Sequence, residues 1–476
     1  MASVDVAVAR SSTAAPGAGR RSAQVGDGAA ADVMAEIFDR QDKREKFIPV
    51  TRQALMERLT RQHAWPGQQA GEARRFFRYL DYWRQQTYGA RLLELEQTYE
   101  PFSPDSDLLI TRRFSAAERE AMQKRLVTQV SELLEQANFI RVNPDRVELI
   151  LTKDSHYGLD LHVDLSAFDE LMIYYRGATK RSESRRSLRT LYLRKEVFEL
   201  PVFQRLCIVF KLKPDEERIR DVMKLEDCDR EKAEKIVKRL RGMLPPQIKS
   251  DYLYLKLFKN MPRSDMEMVF PNTKVRFRLF DKIKLGVSAG GGLGMGVVGT
   301  VGKIAIATNP IALVTAFAGL CGVAARQASN FLNQRNRYMV TMAQNLYFHA
   351  MGDNRGVMTL LADRAAEEDI KEEMLLYSVL AKEAVKRSDL KDVDRAIEQY
   401  LLNGFGVEVD FDLEDALRRL IADGLVTEEN GVLRTLPPAA AAKHIDVKWD
   451  KYLDELPDQT SGEGIEFDKE PDGVAA

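Results

Sequence analysis

The feature that most constrains this chain is a long apolar stretch near its middle. Leu285–Gly302 runs for 18 residues without a charge and Ile304–Ala325 for 22 more, with only Lys303 between them. At 1.5 Å per residue such helices are about 27 and 33 Å long, close to a hydrocarbon core of about 30 Å. Asn309 and Pro310 supply a turn. Cations dominate both flanks, with Lys274, Arg276, Arg278, Lys282 and Lys284 before the stretch and Arg326, Arg335 and Arg337 after it. The pattern predicts a two-helix transmembrane hairpin over 283–326. Both termini would then face the cytoplasm across a bacterial inner membrane, or the matrix across a mitochondrial inner membrane. Gly290, Gly292, Gly294 and Gly296 form small-xxx-small pairs, which let helices approach closely within the hairpin or between protomers. Eight glycines in Leu285–Gly302 leave a competing reading, a buried helical hairpin in a water-soluble core.

Two phosphate-binding motifs fail on their discriminating residues. Gly294, Gly296 and Gly299 fit GxGxxG, but the next acid is Asp353, too late to meet a ribose. Gly302-Lys303 is followed by Ile304, where a P-loop needs Ser or Thr. No cofactor is expected.

Composition narrows the rest. Hydrophobic residues make up 45% and charged residues 30%, which excludes a collagen-like or wholly disordered chain. Lys and Arg number 71 and Asp and Glu 72, a balance that argues against a generally basic nucleic-acid binder. Cys207, Cys228 and Cys321 lie far apart with no CxxC pair, against a disulfide scaffold or a zinc ribbon. The fold class expected is an α+β membrane protein. Residues 1–32 form a disordered tail, 33–138 a helical region, and 139–280 a mostly antiparallel α+β domain with a charged insertion at 214–246. After the hairpin come a helical segment at 327–388, a winged-helix-like domain at 389–455 and a disordered acidic tail at 456–476. Within the α+β domain, strands are expected at 147–151, 171–175, 191–197, 207–212, 252–258 and 275–279 from β-branched and aromatic enrichment.

Four features bear on function. Asp160, His162 and Asp164 alternate on an expected strand and share a face, so they are weak candidates for a metal, with a solvated strand face as the simpler reading. Arg176, Lys180, Arg181, Arg185, Arg186 and Arg189 form a basic run suited to anionic lipid or a protein partner. The acids Glu367, Glu368, Asp369, Glu372 and Glu373 lack the Glu-x-x-His pairs of a di-iron bundle and read as a solvated helix face. Helix 395–402, a short strand at 407–409, helix 413–422 and a hairpin turn at Glu429-Asn430-Gly431 give the C-terminal part a winged-helix rhythm, which raises DNA binding. Residues 391–455, however, carry 8 basic against 15 acidic residues, a net of −7, so no DNA is expected.

Three stretches then carry a resemblance: "REKFIPVTRQAL" at 44–55, "YLYLKLFKNMPRSDMEMVFPNTKVRFRLFDKIKLGVSAGGG" at 252–292 and "QNLYFHAMGDNRGVMTLLADRAAEEDIKEEMLLYSVL" at 344–380. With "FDELMIYYRG" at 168–177 and "EVDFDLEDALRRL" at 408–420, they resemble the transmembrane protein 143 family, a domain of unknown function found in bacteria and mitochondria. The resemblance spans about 40–455 and implies membrane residence but no activity or catalytic residue. The leading expectation is a membrane-anchored, non-enzymatic scaffold that binds partners or anionic lipid. The alternatives are an oligomeric hairpin pore or gate, and a metal-dependent hydrolase.

Overall fold

The computed structural model describes residues 37–38, 44–107, 114–143, 147, 159–186, 195–271, 274–277, 340, 344 and 346–454. Its centre is an antiparallel sheet. The strands are β1 (Ile140–Arg141), β3 (Phe168–Arg186), β4 (Lys195–Leu212), β5 (Leu253–Pro262) and β7 (Ala350–Asp353), in the order β1-β3-β4-β5-β7. β2 (Leu159–His162) and β6 (Lys274–Phe277) pair separately as a two-stranded ribbon. Strand residues alternate between faces. One face presents Met172, Tyr174, Cys207, Val209, Leu255 and Leu257; the other presents Ile173, Tyr175, Leu206, Ile208, Phe210 and Tyr254. All twelve are buried, so the sheet is covered on both sides.

The helices are α1 (Arg52–Leu59), α2 (Gln69–Tyr99), α3 (Ala116–Gln136), α4 (Asp215–Glu226), α5 (Arg230–Arg241), α6 (Asn354–Leu380), α7 (Leu390–Phe405), α8 (Leu413–Ala422) and α9 (Pro438–Lys451). Of these, α2, α3 and α6 close over the first face, while α4 and α5 pack on each other. α3 starts on a capping box, Ser115 and Glu118 three residues apart, with both reciprocal bonds made. α6 is the axis of the molecule. Its N-terminal half packs Val357, Met358, Leu361 and Ala365 into the core above the sheet, shared with α2 and α3. Its C-terminal half packs Ile370, Met374, Leu376 and Tyr377 into a second core with α1, α2 and the C-terminal module. That module holds α7, α8, α9 and a small sheet of β8 (Val385–Lys386), β10 (Val432–Thr435) and β9 (Val426–Glu429). β9 and β10 turn through Asn430 and Gly431, both at positive φ (53° and 73°), as their hairpin signal predicts.

Several expectations change. Among the described residues no helix is long and apolar enough to cross a membrane. This corrects both the expected α+β membrane architecture and the integral-membrane localisation: the fold is α+β around an antiparallel sheet. The segment 283–326 that prompted them, with Gly290, Gly292, Gly294 and Gly296, lies outside the described residues, as do both expected tails. From Arg176 to Arg186 the basic run belongs to β3, which pairs with β4 at 17 registered positions from Phe168↔Leu212 to Arg186↔Lys195. The strand expected at 407–409 is reduced to one parallel bridge, Glu45↔Val409, because its partner comes from the N-terminal segment. β7 is an edge strand within the resembling stretch and carries no local apolar alternation that would have marked it.

Candidate functional site

α6 carries charge into the interior. Glu368 and Glu373 are 0% exposed, Glu372 3% and Asp369 4%. The expected solvated face is therefore corrected: these acids, spaced i, i+1, i+4 and i+5, form a stripe that neighbouring elements cover. An unpaired buried carboxylate is costly, so each must be met by a cation or donor.

α8 and α2 supply the cations. Arg419, on α8 between Leu417 and Leu420, donates to Glu372 (2.6 Å), Glu373 (2.9 Å) and Asp369 (3.2 Å), and also pairs with Asp415 one turn earlier. Arg84, on α2, donates to Glu373 at 2.8 Å and pairs with Asp423 just beyond α8. Lys448 of α9 reaches Asp423 at 2.7 Å, and Trp83 donates its indole N–H to the same carboxylate at 3.3 Å. Tyr88 donates to Asp369 (2.7 Å) and Asn138 to Glu372 (3.1 Å). A single network thus ties α2, α6, α8 and α9 together.

Burial raises the pKa of Asp369, Glu372 and Glu373, and the facing arginines oppose it; Glu372 is pushed up to about 7. Burial also works to raise Asp423, but Arg84 and the hydrogen bonds from Lys448 and Trp83 outweigh it, so that carboxyl lies below its ordinary range. The carboxylate oxygens of Asp369, Glu372 and Asp415 lie within 4.8 Å of one another, the spacing of a metal's ligands. Arg419 donates to all three, so a guanidinium stands where a metal ion would.

One turn towards the sheet the charge changes sign. Glu368 accepts from Arg176 (2.8 Å), Lys371 (2.7 Å) and the Ile48 backbone N–H (2.9 Å), while Lys371 also donates to Ile48 O at 2.6 Å. Arg176 stacks over Phe47, 4.3 Å from the ring centre. In the sheet register Arg176 lies opposite Arg205, and Arg205 opposite Lys259. A cavity of about 160 Å³ opens beside this row, lined by Arg176, Arg205, Arg364, Gln204, Phe47 and Leu361 among others.

The residues expected from sequence are distributed as follows. Arg176 is drawn into the interior against Glu368, whereas Lys180 and Arg181 are exposed on the β3–β4 hairpin, Lys180 lying 3.7 Å from Glu199. Arg185 and Arg186 continue β3 opposite Glu196 and Lys195, and Arg189 lies outside the described residues. Asp160 and His162 occupy β2, in register with Arg276 and Lys274. Asp164 lies beyond that strand, where it pairs with Arg218 and accepts from Ser166 at 2.6 Å. Sequence reasoning missed Arg84, Arg205 and Arg419. The available signal was an arginine set inside an apolar run: Arg84 follows Phe76, Phe77, Leu80 and Trp83, and Arg419 sits between Leu417 and Leu420.

No solved structure matches the chain. Residues 168–356, from β3 to the start of α6, match a family model described as a protein of unknown function (DUF3754), so this stretch is a domain of unknown function.

Proposed function

We propose that the chain is a non-enzymatic binding scaffold whose β3–β4 hairpin engages an acidic protein partner. The observation that carries this is the open, cationic arm. β4 pairs with β5 only between Val202 and Lys211, and β1 meets β3 only at Tyr174 and Tyr175. Beyond those points Ala178–Arg186 and Lys195–Pro201 bond to each other and, among the described residues, to no further strand. Residues 178–203 hold Lys180, Arg181, Arg185, Arg186, Arg189, Arg194 and Lys195 against Glu183, Glu196 and Glu199, in a chain whose net charge is −1. Unpaired strand edges accept an added strand, and local positive charge selects an acidic one. A polypeptide fits this better than a nucleic acid, because the edges offer backbone donors and acceptors that phosphates cannot pair in register. The narrower likeness to the transmembrane protein 143 family is supported by the stretches at 44–55, 252–292 and 344–380, and it assigns no residue a role.

The test is fluorescence anisotropy with a labelled, alternating Glu/Val peptide and the full chain at low and at physiological salt. Saturable, salt-sensitive binding that weakens roughly tenfold in the K180E/R181E variant is expected. Equal binding by both proteins, or binding only to duplex DNA or anionic vesicles, would reject the reading.

A further inference from the structure

We infer that the cavity between the sheet and α6 is a binding site for a phosphate monoester, a dianion whose remaining atoms are apolar. The first observation is the row Arg176, Arg205, Lys259, in register on three adjacent strands. Like charges directly opposite one another in a sheet repel and destabilise it. The same face one row away is apolar, Tyr174, Cys207 and Leu257, so the pleat itself does not call for cations there. Arg364 of α6 adds a further positive charge over the row, and its proximity lowers the proton affinity of both Arg176 and Arg205, next to the larger effect of burial.

The second observation is the incomplete charge balance. Arg176 has Glu368 (2.8 Å) and Arg364 has Glu367 (2.5 Å), and Lys371 shares both of these acids. Among the described residues Arg205 meets no carboxylate, and its guanidinium donates to the Gln204 backbone carbonyl at 2.8 Å. Of the three cations that line the cavity, Arg176, Arg205 and Arg364, two have a carboxylate partner, which leaves the positive charge of Arg205 unbalanced. Guanidinium forks match phosphate oxygens.

The third observation is the cavity's shape and wall. Its volume, about 160 Å³, suits a phosphoryl group with a compact substituent and not a nucleotide. Phe47, Phe139, Leu257 and Leu361 provide an apolar side to receive that substituent. Gly177 fixes the polar rim: it adopts φ +73°, and a Cβ there would lie 2.6 Å from Gln204 Oε1. The Gln204 side chain thus occupies the space that a side chain at Gly177 would take.

Calorimetric titration of the full chain with phenyl phosphate, inorganic phosphate and phosphatidic acid vesicles tests the assignment, in the wild type and in R205Q. Phenyl phosphate is expected to bind saturably, and inorganic phosphate, lacking the apolar part, about tenfold more weakly. R205Q is expected to lose roughly tenfold or more in phenyl phosphate affinity. Its thermal midpoint should be unchanged or higher, since no carboxylate loses a partner and a repulsion is removed. No saturable heat with phenyl phosphate, equal affinity in R205Q, or binding to the vesicles alone would overturn the assignment.

Discussion

Replacing Glu372 with Gln separates the buried charge from the buried shape. The Glu372 carboxylate accepts from Arg419 at 2.6 Å and from Asn138 at 3.1 Å, and Gln keeps the volume and one carbonyl acceptor. Burial moves this carboxyl from an ordinary 4.5 to about 7. Between those two pH values the folded chain holds a proton that the unfolded chain has released. Stability from this group is therefore complete below about 4.5, falls as pH rises, and is gone above about 7. Each tenfold in proton affinity is worth about 1.4 kcal/mol, so the whole effect is on the order of 3 kcal/mol. Asp369 and Glu373 are raised as well and add to the trend in the same direction, whereas Asp423 is lowered and contributes only in acid. Against the effect of burial, the acids that Arg84 and Arg419 face raise both above the ordinary arginine value, so they stay charged throughout this range. Urea unfolding of wild type and variant at pH 5, 6, 7 and 8, followed by tryptophan fluorescence, to which buried Trp65 and Trp83 contribute, reads the difference directly. The variant should gain on the wild type by about 2–3 kcal/mol between pH 5 and pH 8. A difference that stays constant with pH, or that moves towards the wild type as pH rises, would refute the claim that this carboxyl is held desolvated.

Three further outcomes follow from the same geometry. Arg419→Met removes the guanidinium that serves Asp369, Glu372 and Glu373, and should cost about 3–5 kcal/mol in chemical denaturation at neutral pH, less in acid where those acids protonate. Gly177→Ala should lose about 1–3 kcal/mol, because a Cβ meets Gln204 and the positive φ disfavours it; a neutral result by thermal melting would show that the rim is slack. Cys207 is fully buried and burial pushes its thiol up to about 12, so in the native protein it should resist a thiol reagent at pH 8 under conditions that label half-buried Cys228, as peptide mapping would show.

What was legible in the sequence was local. Strand cores at 171–175, 207–212 and 252–258, the capping box at Ser115 and Glu118, the span Leu413–Ala422 and the Asn430-Gly431 turn are all set by neighbours within a few residues. The charge network was not legible, because its halves are remote: Arg84 lies 289 residues from Glu373, and Arg176 192 residues from Glu368. A stripe of acids looks the same on a wet helix and on one whose cations arrive from α2 and α8. The clue lay in the remainder of α6, where Ile370, Met374, Leu375, Leu376 and Tyr377 leave no polar side to face water. The cation row was hidden likewise, since it exists only once β3, β4 and β5 are in register. Hydropathy over 285–325 measured local composition and said nothing of what surrounds it, and the membrane architecture drawn from it did not survive the finding that no described helix can span a bilayer.

The claim on which the account turns is that the acids of α6 are interior and bound by arginines from other elements. Carbodiimide labelling of carboxyl groups in the native protein, mapped by peptide mass, tests it most directly. Asp363, exposed on the same helix, should label readily, while Glu368, Glu372 and Glu373 should stay unmodified until denaturant is added. Native labelling of those three glutamates at the rate of Asp363 would contradict the account.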